Sequence, residues 1–183
     1  MSKLQISILD IFSDNFKNQK GGMAAVQTFE TIFYLIGCKR WVAVVTSMAS
    51  CVELFLRVKH LEVDKSSTLI KQMEKFEDTL EEGDRKNRLI RQGESLRKLR
   101  NQIVHQGFSP KDDPDAIQLI FLDGWDYLDA VIEYSVGLET SLKEHFLKDQ
   151  HIEWSRWFWS NFYLTREILD VKKKKSEVLT ESN

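Results

Sequence analysis

The stretch "RWVAVVTSMASCVELFLRVKH", residues 40–60, decides the fold class of this protein. Its apolar residues recur every three to four positions, as on one side of an α-helix: Val44, Met48, Cys51, Leu54 or Phe55, and Val58. Because this side is almost continuously apolar, we predict a central buried helix from about Arg40 to His60. The uncharged run Trp41–Val52 is shorter than the ~20 residues of a membrane-spanning helix, so no membrane association is expected.

The same periodicity predicts three helices around this centre. Ile6, Leu9, Phe12 and Phe16 indicate a first amphipathic helix, which the pair Gly21 and Gly22 ends. A second helix runs from about Ala24 to Ile36. After the central helix, Ser66 or Ser67 can cap a helix that Gly83 ends, and its apolar stripe is Leu69, Met73, Phe76 and Leu80.

The second half of the chain contains further helical segments and one clear loop. A helix spans about Asp84 to Gln106, and the loop "GFSPKDDPD", residues 107–115, follows it. The segment "AIQLIFL", residues 116–122, fits either a strand or a helix. Asp123 can cap a helix that runs to about Lys148, and a last helix covers Glu153–Asp170. Residues 171–183 are expected to form a disordered tail.

Composition supports a single soluble helical domain. The chain has 183 residues, of which 42% are hydrophobic and 30% charged, with 8 glycines and only 2 prolines. We therefore predict one all-α bundle of five to seven helices over residues 1–170. A net charge of −2 gives no global attraction to nucleic acid, so such binding would need a local basic patch. Cys38 and Cys51 are predicted to be buried reduced thiols, and a cytoplasmic location is expected because no secretory signal is visible.

The stretch "LRKLRNQIVHQGFSP", residues 96–110, is the candidate for chemistry. Leu89, Leu96, Leu99 and Ile103 fall within an arc of roughly 80° on a helix and predict its core-facing stripe. Arg100 lies beside that stripe, whereas Asn101 and His105 are one turn apart and face the same way. Gly93 also lies beside the stripe, which indicates close approach by a second copy of the helix or by a ligand.

These polar residues also have a plain structural interpretation. Cations in the last turn of a helix oppose its dipole and stabilise it. His60, His145 and His151 have no partners at catalytic spacing and are predicted to be surface residues.

The sequence "LRNQIVHQGF", residues 99–108, resembles the signature of HEPN domains, the nucleotide-binding domains of higher eukaryotes and prokaryotes. In that signature an Arg is usually followed by a polar residue, and four to six residues separate it from a His; here Arg100 is followed by Asn101, and four residues separate it from His105. "SCVELFLRVK", residues 50–59, is similar to the HEPN helix that carries an acidic residue, with Glu53 at that position. The resemblance covers about residues 24–150.

The resemblance implies a metal-independent endoribonuclease that cuts single-stranded RNA as a homodimer, with the motif helices at the interface and no cofactor. His105 would transfer protons, Arg100 would hold the anionic phosphorane, Asn101 would contact the phosphate or steady the histidine, and Glu53 would support them. Two copies of His105 would supply acid and base, giving a 2′,3′-cyclic phosphate and a 5′-hydroxyl. HEPN nucleases commonly serve as toxins or antiviral defence effectors, which implies an antitoxin or sensor protein as partner.

RNA must also be held, and the helix that carries the motif is rich in basic residues. Arg91, Arg97 and Lys98 are the predicted phosphate contacts, although the same charges fit a solvated helix face equally well. Two other functions remain open at this point. One is a non-catalytic HEPN module that binds nucleotide or a partner protein, and the other is a helical adaptor outside the family.

Overall fold

The computed structural model describes residues 11–38, 40–60, 68–106 and 114–138, with side chains from residue 123 onward in the last of these ranges. The described residues form helices and connecting turns and include no strand, which confirms the predicted all-α bundle. The helices are α1 (Asp14–Asn18), α2 (Gly22–Gly37), α3 (Trp41–Lys59), α4 (Leu69–Asp78), α5 (Asp84–Gln106) and α6 (Pro114–Val136).

Helix α3 lies at the centre, as its continuous apolar side predicts. It packs most extensively against α2 and α6 and also contacts α4 and α5. By length and composition α3 is long and apolar enough to cross a bilayer, and half of its most apolar window is buried inside the bundle. An aromatic cluster fills the space between α1, α2, α3 and α6, with neighbouring ring centroids 5.0–6.5 Å apart: Phe12, Phe16, Phe29, Phe33, Phe55 and Trp125.

The helix starts follow local chemistry. Ser13 caps α1 by accepting a hydrogen bond from the Phe16 amide at 3.2 Å. Gly21 precedes α2 with a φ of 87°, a conformation that glycine adopts without steric cost. Thr68 caps α4 through the Lys71 amide, so the predicted cap at Ser66 or Ser67 is wrong. The helix also ends at Asp78, before the predicted end at Gly83.

The region after the loop differs from the prediction. Residues 114–136 form one continuous helix, so the segment 116–122 is helical and Asp123 lies inside α6 rather than capping a helix. The proline at the first position of α6 explains the start. An amide hydrogen at this position makes no hydrogen bond within a helix, so proline, which lacks one, loses nothing there. Helix α6 ends at Val136, directly before Gly137, well short of the expected end at Lys148.

Gly93 has an intramolecular explanation. A Cβ atom at this position would lie 2.5 Å from Cε2 of Tyr127 and 2.9 Å from Cε of Met73. The Tyr127 ring is fully buried and its hydroxyl donates to Glu77 at 2.9 Å, so the ring cannot move aside freely. The close approach that the sequence indicates is therefore made by the Tyr127 side chain of α6. This contact explains Gly93 without a second copy of the helix or a ligand.

Two other sequence expectations are corrected. Cys51 is buried, as predicted, and burial raises the pKa of its thiol well above the ordinary value, whereas Cys38 is exposed. His60 is half-buried rather than a free surface residue, because its ring bridges two helices: Nδ1 bonds Gln72 of α4, and Nε2 lies 3.1 Å from the Tyr134 hydroxyl of α6. The predicted helix 153–170, the tail 171–183, His145 and His151 lie outside the described residues.

Candidate functional site

Helix α5 presents the predicted stripe to the core. Leu89, Leu96 and Leu99 are buried, and Ile103 is partly buried against the same cluster. The helix packs mainly on α6 and also on α3, which fixes its rotation about its own axis. The opposite face of α5 is therefore held towards solvent, and the polar residues of the motif lie on that face and along its edge.

The three motif residues form a graded series from the core edge to solvent. Arg100 and Asn101 are half-buried, and His105 in the last turn is exposed. Arg100 donates from Nη1 to Oδ1 of Asn101 at 3.1 Å. This hydrogen bond directs the Asn101 carbonyl towards the guanidinium, so the Nδ2 amide group is the part of Asn101 that remains to donate. Within the described residues, no carboxylate forms an ion pair with Arg100 or His105.

On an ideal helix, Arg100 and His105 are separated by roughly 140° around the axis. The arc between them carries Arg97, Asn101 and Val104, and the Val104 side chain is 51% exposed. The arc therefore carries a guanidinium, an amide donor and an imidazole on one surface of the helix.

Glu53 does not join this group in the described structure. It is half-buried on α3 and forms an ion pair with Arg57 one turn further along the same helix, with 2.6 Å between Oε1 and Nη2. In the part of the chain that the structure describes, no hydrogen bond or ion pair links Glu53 to Arg100, Asn101 or His105. Among the described residues, no contact between Glu53 and the motif residues supports the role that the resemblance implies for Glu53.

The predicted phosphate contacts divide into two groups. Arg91 and Lys98 lie on the solvent face, where Nε of Arg91 donates to the Asn87 carbonyl at 3.2 Å and Nζ of Lys98 lies 3.1 Å from Oε2 of Glu94. Arg97 is half-buried and lies roughly 120° from Arg91 around the axis, on the side of Arg100. The basic residues therefore lie on two sides of the helix, with Arg91 and Lys98 on the solvent face and Arg97 on the side of Arg100.

The solvent face carries a continuous row of side chains, which we call the outer stripe of α5. Its members follow one another at steps of three or four residues on the face opposite the core: Arg91, Glu94, Lys98, Asn101 and His105. Sequence reasoning identified four of these residues and did not include Glu94. The three-and-four spacing was the signal that places Glu94 in the same row.

A carboxyl with a shifted pKa, Glu77, lies near this stripe but faces the bundle. Burial raises the pKa of Glu77 on α4, and the neighbouring carboxylates of Glu74, Glu94 and Asp78 add to the rise, against the hydrogen bond from Tyr127, which lowers it. The Tyr127 hydroxyl has its own pKa raised by burial and by the Glu77 charge. This pair joins α4 to α6 and is structural.

Metal-binding groups and known relatives add no further site. Among the described residues, no cluster of three or more His, Cys, Asp or Glu side chains is arranged to hold a metal ion. Comparisons with family models, with curated proteins and with solved structures give no match to this chain. The HEPN resemblance therefore depends on the residues of the motif and on their order along the helices.

Proposed function

We propose that this protein is a metal-independent endoribonuclease that cleaves single-stranded RNA, with Arg100, Asn101 and His105 as its active-site residues. The observation that carries the proposal is the last part of α5. There a guanidinium, an amide and an exposed imidazole lie along one arc at the end of a helix whose other side is fixed in the core.

The chemistry follows from the residue types. An imidazole can take the proton from a ribose 2′-hydroxyl, and the resulting alkoxide attacks the adjacent phosphorus. The guanidinium of Arg100 and the Nδ2 group of Asn101 can donate hydrogen bonds to the phosphorane as its negative charge develops. Departure of the 5′-oxygen needs a proton, and the products are a 2′,3′-cyclic phosphate and a 5′-hydroxyl.

One chain supplies a single histidine to this arc, whereas the reaction uses a base and an acid. We therefore include in the proposal a two-fold homodimer in which the exposed His105 side chains of both copies reach one groove. The exposed Val104 beside Arg100 is an apolar group that such an interface would cover. As a ribonuclease, the protein would act in the cytoplasm as a toxin or an antiviral defence effector, under the control of an antitoxin or sensor protein.

The test compares wild type with His105→Ala on single-stranded RNA in the presence of EDTA. Because general acid–base catalysis contributes about 10² to 10⁴ in rate, His105→Ala should reduce cleavage by at least about a hundredfold. Wild-type cleavage should persist with the chelator, and the fragments should carry 2′,3′-cyclic phosphate ends.

The matched control is Gln106→Ala, which changes an exposed residue in the same turn on another side of the helix. It should cleave like wild type. Loss of wild-type cleavage in EDTA, or equal cleavage by His105→Ala and wild type, would contradict the proposal.

A second candidate is a non-catalytic module that binds nucleotide or a partner protein. The hydrogen bond from Arg100 to Asn101 favours it, because a half-buried arginine held by its neighbour also serves a purely structural role. This candidate predicts RNA or nucleotide binding without cleavage by wild type, and binding unchanged in His105→Ala.

A further inference from the structure

The outer stripe of α5 carries one negative charge, Glu94, between two positive charges. Arg91 and Lys98 lie on either side of Glu94, and Asn101 and His105 continue the row towards the helix end. From Arg91 to His105 the stripe extends about 21 Å, at 1.5 Å per residue. A strand of RNA that reaches His105 along this row must pass Glu94.

Glu94 is paired with one of the cations that RNA would need. Nζ of Lys98 lies 3.1 Å from Oε2 of Glu94, and the two side chains are 63% and 52% exposed. An exposed ion pair of this kind contributes little to stability, because water screens the two charges and the long side chains lose freedom when they pair. A phosphate can therefore replace the carboxylate at Lys98 without a large cost.

A second carboxyl group lies near Glu94. Glu94 is close enough to Glu77 of α4 for its charge to raise the pKa of Glu77. The negative charge of Glu94 repels an RNA phosphate beside it until Lys98 turns away from the carboxylate and binds the phosphate.

We propose that Glu94 restrains RNA binding at the site, by holding Lys98 and by repelling the RNA backbone, and that bound RNA takes Lys98 over from Glu94. This inference rests on the proposed function and adds a restraint that the chain itself provides. A strand that contacts the whole stripe displaces Glu94, whereas a short or weakly held strand does not.

The experiment measures binding of an uncleavable single-stranded 2′-O-methyl RNA by fluorescence anisotropy, from about 50 to about 200 mM salt. Glu94→Gln should bind about three- to tenfold more tightly than wild type at the lowest salt. Its log–log salt slope should stay close to that of wild type, because bound RNA contacts Lys98 in both proteins, whereas Lys98→Gln should lower the slope by about 0.7, the value for one phosphate contact on a single strand. Lys98→Gln should weaken binding, and Glu94→Gln should gain less in that background than in wild type.

The control is Glu82→Gln, which changes the net charge equally and removes a matched pair, because Lys86 binds Glu82 at 2.7 Å with the same spacing of four residues. Glu82→Gln should leave RNA affinity unchanged. An equal gain for Glu82→Gln and Glu94→Gln, or no gain for Glu94→Gln while wild type still cleaves RNA, would overturn the restraint alone. Absence of RNA binding by every variant would overturn the proposed function together with it.

Discussion

At the scale of single residues, Asn101 connects the fold to the proposed chemistry. Its Oδ1 accepts from Arg100, so the two side chains hold each other beside the exposed His105. This contact assigns separate tasks to the two ends of the amide. The carbonyl end orients the guanidinium, and the Nδ2 end is left to donate to a phosphate oxygen.

Asn101→Asp separates these tasks. A carboxylate still accepts from Arg100, and does so more strongly, but it has no donor and repels a phosphate. We expect cleavage of single-stranded RNA to fall by about tenfold or more, with an unchanged melting temperature. Initial rates and a thermal melt of the same preparation measure both quantities. Wild-type cleavage by Asn101→Asp would show that Asn101 acts only by holding Arg100.

At the scale of helices, the hydrogen bond between Tyr127 and Glu77 joins α6 to α4. This contact partly buries the Glu77 carboxylate, and burial disfavours its charged form. Because burial raises the pKa of Glu77, the folded protein binds a proton at this carboxyl more tightly than the unfolded chain does. The free energy of unfolding from this group is therefore greatest below the ordinary pKa of 4.5 and decreases as the pH rises through the higher folded value.

Glu77→Gln removes the charge and keeps an oxygen that accepts from Tyr127. We expect a melting temperature at least equal to that of wild type at neutral pH, with an advantage that shrinks as the pH falls through the raised folded pKa of Glu77 and is lost by about pH 4.5. Thermal melts across this pH range measure it, and Glu81→Gln, which removes an exposed carboxylate that does not contribute to the shift at Glu77, is the charge-matched control. A lower melting temperature than wild type at neutral pH would mean that the charged hydrogen bond outweighs the burial cost.

Most helices could be predicted from residue spacing. Helix α5 has the predicted bounds, and α2 and α3 differ from theirs by a few residues at most, because an apolar repeat of three and four residues has one low-energy solution in water. The errors occurred where a local signal competed with packing. Asp123 resembles a helix cap, but the adjacent Gly124 and Trp125 are buried inside α6, and packing of α6 on α3 and α5 outweighs the preference for a cap.

At the scale of the whole molecule, the proposed reaction needs two chains, since one arc carries one histidine. A two-fold arrangement makes the activity depend on both copies, so an inactive chain should also inactivate its wild-type partner.

We expect that His105→Ala, added in large excess to wild type, lowers the rate per wild-type chain by about tenfold or more. The measurement uses RNA in excess over all protein, so that the variant cannot act by removing substrate. An equal excess of an inert protein is the control. A rate per wild-type chain that stays constant would show that each chain cleaves by itself.

The sequence by itself determined the helical class, the central position of α3, the core-facing stripe of α5 and the identity of the motif residues. These features follow from apolar periodicity and residue chemistry, which act over a few turns. Tertiary structure alone decided that Gly93 accommodates Tyr127, that His60 bridges α4 and α6, and that Glu53 pairs with Arg57. Such contacts depend on how helices distant in the chain are rotated against each other, and packing of the whole core sets that rotation.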